Sequence, residues 1–396
     1  MVHRQRIQPG TDWLQFPRHR IHFLTNHPDP FLEIESADTE KFFIPFVNIG
    51  PGRQRDEHEW RADFRFPLPP AWDFRIVWEN GRIEKPKRAE HYTTRLRTLW
   101  LQDGEIFARK PAAAITPSRV LKINDFRGSL PTRALYIYLP RGYDDHPFQE
   151  YPVLYMHDGQ NGFAHFAHDS YAGSWKADLT ADRLIASGQM QECIMVGVSN
   201  GREARLNEYL PPPLIFNPSP TRRNRKGEHL PPHIVGQADK TARYYEEEVA
   251  PFVSGRFRVR RGREHTATLG SSMGGLFSTY LAWEHNDFAR HHAALSPSYW
   301  VTQTRDNRLK TIEYIRNSDR PDIRFWLDSG TQNSPGRGYD AQFEVLAMRE
   351  ALLRKGFEEG DDFQCLIDDE GIHDEASWGR RLNLVLPFLF PIHHHP

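Results

Sequence analysis

Several features that would place a chain in a specialised class are scarce in this sequence. Its 396 residues include only two cysteines, Cys193 and Cys365, and both stand in apolar runs where a buried, reduced thiol is more usual than a disulfide. The formal net charge of −1 provides no overall electrostatic attraction to nucleic acid or to an anionic membrane. No stretch reaches the ~18 apolar residues of a membrane span, and residues 1–6 lack the apolar segment of a signal peptide. We therefore expect a cytoplasmic protein with neither a nucleic-acid nor a membrane partner.

Motifs for common cofactors are also missing. The sequence contains no Walker A motif, no G-x-G-x-x-G that opens a βαβ unit, and no H-E-x-x-H. His157, His165 and His168 lie close together along the chain, but no clustered cysteine or carboxylate accompanies them to complete a metal site. We expect neither a cofactor nor a metal ion.

The first part of the chain, residues 1–112, has short β-prone runs separated by turn signals. The runs at 42–47, 60–66 and 73–79 are rich in aromatic and β-branched residues, and the second alternates large apolar with charged side chains. Asn80-Gly81 is a strong hairpin signal. This pattern predicts a small β-sandwich domain over 1–112, with a linker at 110–114.

From about residue 113 to 396, predicted strands and helices alternate. Such alternation, with nearly continuous apolar strands, predicts an α/β fold with a mostly parallel sheet and helices on both faces. The predicted strands are 135–139, 153–156, 193–198, 267–269, 293–295, 323–327 and 363–367, and the predicted helices are 175–187, 240–253, 275–285, 341–355 and 375–386.

One proline-rich interval, residues 210–233, interrupts the alternation. Its length and its prolines predict a loop or lid without regular elements. It carries four basic residues that could attract an anionic ester or could equally be a solvated surface run: Arg222, Arg223, Arg225 and Lys226.

A serine stands at the centre of G-x-S-x-G in residues 270–274, between the apolar run 266–269 and a helix-like run at 276–283. This is the layout of a nucleophile elbow, in which flanking glycines permit a sharp turn that exposes the serine. Ser272 is therefore the candidate nucleophile. An oxyanion hole would use the N–H of Met273 and a second N–H from the glycine-containing loop 157–162. A plain strand-to-helix turn is the alternative interpretation of that loop.

The candidate base is His373, which follows the last predicted strand and precedes the last predicted helix. In α/β-hydrolases the order along the chain is serine, acid, histidine. Two residues, Asp328 at a strand end and Asp340 at a helix start, could supply the acid. Each also has a purely structural interpretation, as a turn residue or a helix N-cap, so both stay open at this point.

Taken together, five segments resemble the enterochelin esterase-like branch of the α/β-hydrolases, which includes esterase D and feruloyl and acetyl xylan esterases. The resemblance covers roughly residues 118–390. It implies an α/β-hydrolase catalytic domain over 113–396, preceded by an immunoglobulin-like β-sandwich over 1–112. The segments are 136–143, 151–161, 197–211, 270–275 and 295–298.

Carried over residue by residue, the resemblance implies that Ser272 is the nucleophile and His373 the base, with the amides of Met273 and of the Gly159-Gln160 turn as the oxyanion hole. Relatives place the acid three residues after the strand-end glycine, where this chain has Asn333 in Gly330-Thr331-Gln332-Asn333. We favour Asp340 over Asp328 as the acid, because the acid should lie between that strand and the next helix. An amide-supported pair that uses Asn333 is the alternative.

The resulting expectation is a serine esterase that cleaves a small-molecule ester: a siderophore ester, an acylated sugar or a simple acyl ester. An acyltransferase would use the same residues with an alcohol as acceptor. A non-catalytic binding protein with a retained hydrolase fold is the alternative from another class, favoured only by Asn333. No pattern in the sequence assigns an oligomeric state.

Overall fold

The computed structural model describes most of the chain, in two compact units. The first unit takes the described residues up to 111 together with 182–191 and 392, and the second takes 117–181 and 192–391. The predicted boundary between residues 112 and 113 stays a prediction. The described residues are 16–35, 41–51, 58–65, 68–86, 89–111, 117–144, 146, 148–221, 223, 227–332 and 340–392.

The first unit contains two β-sheets around one hydrophobic core. One has the strand order β10-β9-β1-β5-β4, and the other β3-β2-β6-β7 with β8 beside β6. Trp60, Trp72 and Trp78 all belong to this core, as expected of large aromatic side chains in a small β-domain. The strands are β1 (Arg18–Thr25), β2 (Phe31–Glu35), β3 (Lys41–Pro45), β4 (Val47–Pro51), β5 (His58–Arg65), β6 (Trp72–Val77), β7 (Ile83–Glu84), β8 (Tyr92–Thr94), β9 (Thr98–Gln102) and β10 (Glu105–Phe107).

The run 42–47, predicted as one strand, is divided between β3 and β4. The first pairs with β2 and the second with β5, so the chain passes from one sheet to the other at the buried Phe46. An unbroken apolar run does not reveal such a change of sheet, because both halves are equally β-prone.

The second unit contains an eight-stranded sheet in the order β11-β12-β14-β13-β17-β18-β19-β20. The first two strands are antiparallel to their neighbours, and the strands from β14 onward in this order are parallel. The strands are β11 (Arg119–Phe126), β12 (Arg133–Leu139), β13 (Val153–His157), β14 (Ile194–Val198), β17 (Thr266–Ser271), β18 (His291–Leu295), β19 (Arg324–Gly330) and β20 (Phe363–Asp368).

Helices alternate with these strands, as the sequence predicted. α3 continues into α4 through one π-helical stretch, Tyr245–Val249, and α2 and α6 were not predicted. None of the described helices has both the length and the apolar character that crossing a membrane would require. The helices are α1 (Ala177–Ala186), α2 (Arg205–Tyr209), α3 (Ala238–Tyr244), α4 (Ala250–Ser254), α5 (Met273–Glu284), α6 (Lys310–Asn317), α7 (Gln342–Arg354) and α8 (Glu375–Leu389).

The proline-rich interval 210–233 was predicted to lack regular elements, and this was wrong. Ile215–Phe216 (β15) pairs with Ile234–Val235 (β16) in a short antiparallel ribbon. Both strands are free of proline and lie outside its clusters, so their N–H groups remain available for pairing.

The register of the parallel strands brings three chain segments together at one sheet edge. Ser271 at the end of β17 lies opposite Leu295 at the end of β18, and Leu295 lies opposite Asp328 of β19. The segments that follow these strands therefore start side by side at the carboxyl edge, where open α/β sheets bind ligands.

Candidate active site

Ser272 stands at a sharp turn between β17 and α5. Its φ of 57° and ψ of −120° are unusual for a residue with a side chain, and such strain is common at functional positions. The turn is tight enough that a Cβ on Gly270 would lie 2.6 Å from both the carbonyl carbon of Gly274 and a ring carbon of His157. Glycine at 270 is therefore a packing requirement of this elbow.

Three of the sequence-predicted residues form a chain of contacts that runs from Ser272 through His373 to Asp340. His373 Nε2 lies 3.0 Å from Ser272 Oγ, and His373 Nδ1 lies 2.6 Å from Asp340 Oδ1. The His373 side chain is 16% exposed, whereas Asp340 is fully covered. The imidazole also meets the Trp378 ring edge-on, with the centroids 5.0 Å apart, which restricts its rotation.

Asp340 is held by donors on both of its carboxylate oxygens. Oδ1 also accepts the Ala341 N–H at 2.9 Å, and Oδ2 accepts the Ser296 hydroxyl at 2.7 Å and the Gly330 N–H at 2.6 Å. Burial alone would raise the pKa of Asp340, but the hydrogen bond and charge of His373, together with the hydrogen bonds from Ser296 and Gly330, lower this pKa to about 2. The carboxylate is therefore ionised and can only accept, so the proton between it and His373 belongs to Nδ1.

The other candidate acid, Asp328, does not face His373. It accepts the indole N–H of Trp326 at 2.8 Å and lies 3.1 Å from Nη2 of the buried Arg381. Burial raises the pKa of Asp328 to about 6, against the lowering effect of Arg381. Its partners are thus structural ones, in contrast to those of Asp340. Asn333, the third possibility, lies outside the described residues.

The loop after β13 contains the second predicted oxyanion donor. Gly159–Asn161 forms a single 3₁₀ turn, and a Cβ on Gly159 would lie 2.2 Å from the carbonyl carbon of Gly197 in β14. Because β13 is the parallel neighbour of β17, this turn starts beside the elbow. Met273 is the first residue of α5, a position where a helix N–H has no carbonyl partner within the helix.

An ion pair between the buried Asp158 and the partly exposed Arg205 anchors this loop. Asp158 has φ 55° and accepts from Arg205 Nε and Nη2 at 2.7 Å each, while its own N–H donates to the Tyr209 hydroxyl. Burial opposes ionisation, but Arg205 and Asn200 lower the pKa of Asp158. The charged pair therefore anchors the residue that precedes the turn.

His157 lies beneath the elbow and does not contact Ser272. It is fully buried, its Nδ1 lies 3.1 Å from the Tyr245 hydroxyl, and its ring meets Phe277 at 4.7 Å. Burial lowers the pKa of His157 to about 3, so the ring is neutral at ordinary pH. Within the described part of the chain, no group of His, Cys, Asp and Glu side chains has the arrangement of a metal site.

Sequence reasoning assigned no role to two serines that the structure places against the candidate residues. Ser298 Oγ lies 3.1 Å from Ser272 Oγ, and Ser296 bonds Asp340 as described above. Both belong to the segment 295–298, quoted among the resembling segments. Their position directly after a central strand was the available signal.

The chain is similar to known esterases in sequence and in fold. A family model described as "Putative esterase" matches residues 131–389. The fold is similar to that of an IroE-like serine hydrolase from Shewanella oneidensis, with TM-score 0.54, 21% identity, and 69% of this chain and 80% of that chain covered. It is also similar to that of a ferulic acid esterase, with TM-score 0.50, 20% identity, and 70% of this chain and 100% of that chain covered.

A wider but looser match is the enterobactin esterase from Shigella flexneri, in a structure determined in the presence of enterobactin. Its TM-score is 0.48 and its identity 13%, with 92% of this chain and 88% of that chain covered. No curated protein sequence matches significantly.

Proposed function

Since the chain belongs to the esterase family whose model matches residues 131–389, and is therefore a carboxylic ester hydrolase, we propose that Ser272 is its nucleophile, His373 its base and Asp340 its acid. The observation that carries this proposal is the unbroken contact from Ser272 Oγ through both ring nitrogens of His373 to the Asp340 carboxylate. A serine hydroxyl needs such a base, and the base needs an orienting acceptor.

In the first half-reaction, Ser272 Oγ attacks the ester carbonyl carbon while its proton moves to His373 Nε2. The carbonyl oxygen becomes an oxyanion, which accepts hydrogen bonds from the N–H groups of Met273 and of the Gly159-Gln160 turn. His373 then gives the proton to the departing alcohol, and the C–O bond breaks. An acyl group stays on Ser272.

In the second half-reaction, a water molecule gives a proton to His373 Nε2 and attacks the acyl carbon. The tetrahedral intermediate collapses, Ser272 Oγ recovers the proton, and the carboxylic acid leaves. Asp340 stays ionised throughout and stabilises the imidazolium that forms in both steps. The low pKa of Asp340 supports this role.

A fluorophosphonate probe tests the assignment directly, because it labels only an activated serine. We expect a single adduct that maps by peptide mass spectrometry to Ser272 and disappears in Ser272→Ala. Ser278 provides a matched control in the helix that follows Ser272, since its buried hydroxyl has no hydrogen-bond partner among the described residues, and Ser278→Ala should label at the parental rate. Labelling of Ser272→Ala at that rate would refute the proposal.

The substrate class is part of the proposal. Siderophore esters, acylated sugars and simple acyl esters all fit a serine esterase, and an alcohol acceptor would turn the same acyl-enzyme into a transferase intermediate. Of the four basic residues that could favour an anionic ester, Arg223 is described and exposed, while Arg222, Arg225 and Lys226 lie outside the described residues. A panel of anionic and neutral esters, assayed with and without an added alcohol, separates these possibilities.

The proposal also includes an immunoglobulin-like domain over residues 1–112 and a catalytic domain over 113–396. The two sheets with a shared core in the first unit support it. A cytoplasmic location stays a prediction.

A further inference from the structure

We propose that the turn formed by residues 296–298 positions both ends of the catalytic triad, with Ser298 acting on the nucleophile and Ser296 acting on the acid. This inference rests on the proposed function, because it takes Ser272 and Asp340 as the groups to be positioned. It assigns a role to a segment that the mechanism above does not use.

The sheet topology places this turn between the two groups. β18 lies between β17, which leads into Ser272, and β19, which leads toward Asp340. The chain that leaves β18 must therefore pass between the nucleophile and the acid. Backbone bonds attach it to both sides: the Ser272 N–H donates to Leu295 O at 2.9 Å, the Ser298 N–H to Ser272 O at 2.9 Å, and the Ser296 N–H to Asp328 O at 2.9 Å.

The Ser296 hydroxyl makes three hydrogen bonds, one to Asp340 and two to its neighbours. A hydroxyl has one proton to donate and two lone pairs to accept with. Ser296 Oγ donates to Asp340 Oδ2 at 2.7 Å, and it accepts the Trp378 indole N–H at 3.0 Å and an Arg381 N–H at 2.8 Å. The Trp378 indole and the Arg381 guanidinium can only donate, so Ser296 Oγ must accept from both and its own proton points at Asp340.

The backbone of Ser296 is strained. Its φ is 40°, in the left-handed region that favours glycine, and the residue is completely buried. Serine at such a position is less stable than glycine by on the order of tenfold in population. Glycine would adopt this conformation with less strain. We therefore assign the role of this residue to its hydroxyl.

Asp328 and Arg381 complete this side of the arrangement. Arg381 is 3% exposed and reaches both Asp328 Oδ1 at 3.1 Å and Ser296 Oγ. Asp328 balances the guanidinium charge, so that Arg381 can orient the Ser296 hydroxyl without leaving an unpaired buried cation. The carboxylate that the sequence offered as an alternative acid thus supports the one that contacts His373.

The assignment of protons gives Ser298 a definite role on the nucleophile side. His373 carries its proton on Nδ1, so Nε2 accepts the hydrogen of the Ser272 hydroxyl. Ser272 Oγ can then only accept from Ser298 Oγ, which lies 3.1 Å away. This bond holds the Ser272 rotamer toward His373, and it weakens once Oγ becomes an ester oxygen.

A double-mutant cycle tests the role of Ser296. We expect Ser296→Ala and Ser296→Gly each to lower kcat about ten- to a hundredfold, with KM within about twofold, while circular dichroism stays parental. In an Asp340→Asn background, Ser296→Ala should cost less than about threefold, because its target has already been lost. Equal losses in both backgrounds, or parental kcat in Ser296→Gly, would overturn the role of this hydroxyl.

Ser298 is tested by restoring its hydroxyl. Its φ of −77° accommodates a β-branched residue, so Ser298→Thr keeps the donor whereas Ser298→Ala removes it. We expect Ser298→Ala to slow fluorophosphonate labelling and acylation about tenfold and Ser298→Thr to restore at least a third of the parental rate. Indistinguishable rates for the two variants would refute the role of Ser298.

Two parallel variants separate failure of this inference from failure of the proposed function. If Ser272→Ala is inactive while Ser296→Ala and Ser298→Ala turn over at the parental rate, the turn has no positioning role and the triad stands. If Ser272→Ala retains activity, the proposed function itself is wrong. Ser278→Ala controls for loss of a buried serine hydroxyl and should leave kcat unchanged.

Discussion

Two regions of the second unit contain histidine and aspartate with opposite surroundings. At the carboxyl edge of the sheet, His373 bridges Ser272 and Asp340. Within strands β13 and β19, His157 and Asp328 are equally or more deeply buried, but their partners are a tyrosine hydroxyl for His157 and a tryptophan and an arginine for Asp328. The same residue types therefore connect nucleophile to acid in one region and make contacts that do not include Ser272 or His373 in the other.

The two aspartates show which physical property separates the two regions. Both are inaccessible to solvent, yet the pKa of Asp340 is lowered to about 2 and that of Asp328 is raised to about 6. Burial opposes ionisation in both, so the hydrogen bonds and charge of His373 account for the direction at Asp340. Partners, and not burial, distinguish the candidate catalytic carboxylate from the structural one.

The largest effect should come from Ser272→Ala. Removing a triad serine typically lowers turnover on the order of 10⁶-fold, and we expect hydrolysis of p-nitrophenyl acetate to fall accordingly while the fold is kept. Circular dichroism and thermal melting provide the control for folding. Activity within tenfold of the parent would remove Ser272 from the site.

The next largest effect is the difference in kcat/KM between variants of the two histidines. His373→Ala should be nearly as severe as the serine variant, because the serine proton then has no acceptor. His157→Ala should affect kcat/KM much less and the melting temperature more, since this ring packs beneath the elbow. A greater loss of kcat/KM in His157→Ala than in His373→Ala would show that the base was chosen wrongly.

The two aspartates give a smaller but sharper contrast. Asp340→Asn should lower turnover by on the order of 10⁴-fold, by analogy with other triads in which an amide replaces the carboxylate. Asp328→Asn should cost less activity and more stability, because Arg381 then loses its buried counter-charge. Comparable small effects from both, with a larger one from Asn333→Ala, would favour the amide-supported alternative.

The smallest effect concerns the pH dependence of stability. Burial lowers the pKa of His157 and His292 to about 3. On acidification these two histidines therefore bind protons in the unfolded chain before they do so in the folded chain. The free energy of unfolding should therefore be greatest above about pH 6.5 and fall toward pH 3, by up to about 1.4 kcal/mol per pH unit for each histidine. The raised pKa of Asp328 has the opposite effect. Between about pH 6 and pH 4 the folded state binds a proton at Asp328 that the unfolded state does not, and this increases the free energy of unfolding as the pH falls.

Urea unfolding at pH 7.5 and 5.5 measures this dependence. His292 lies 2.8 Å from the Thr268 hydroxyl and 2.9 Å from Ala289 O, and His292→Gln should flatten the pH dependence. The exposed His229 supplies the control, since His229→Gln should leave it unchanged. The same pH dependence in His292→Gln as in the parent would contradict the linkage.

Much of the second unit could be predicted because its strands and helices are locally determined. The predicted strand 153–156 and helix 341–355 lie within one or two residues of β13 and α7, since apolar runs and helical periodicity depend on neighbours in sequence. The positions of Ser272 and His373 relative to strand and helix ends followed from the same local patterns. Local patterns did not predict the change of sheet at Phe46 or the ribbon of β15 and β16, because the strands that pair there are separated along the chain.

Local sequence was sufficient to predict the elbow, through its glycines, and the order in which serine, acid and histidine occur. Local sequence patterns left both Asp328 and Asp340 open, and only the expected position of the acid between a strand and the next helix favoured Asp340. The choice arises in the folded chain, where Asp328 faces Arg381 while Asp340 receives donors from Ser296, Gly330 and His373. Parallel strand pairing brings these donors together from distant segments, and contacts of that kind exist only once the sheet has formed.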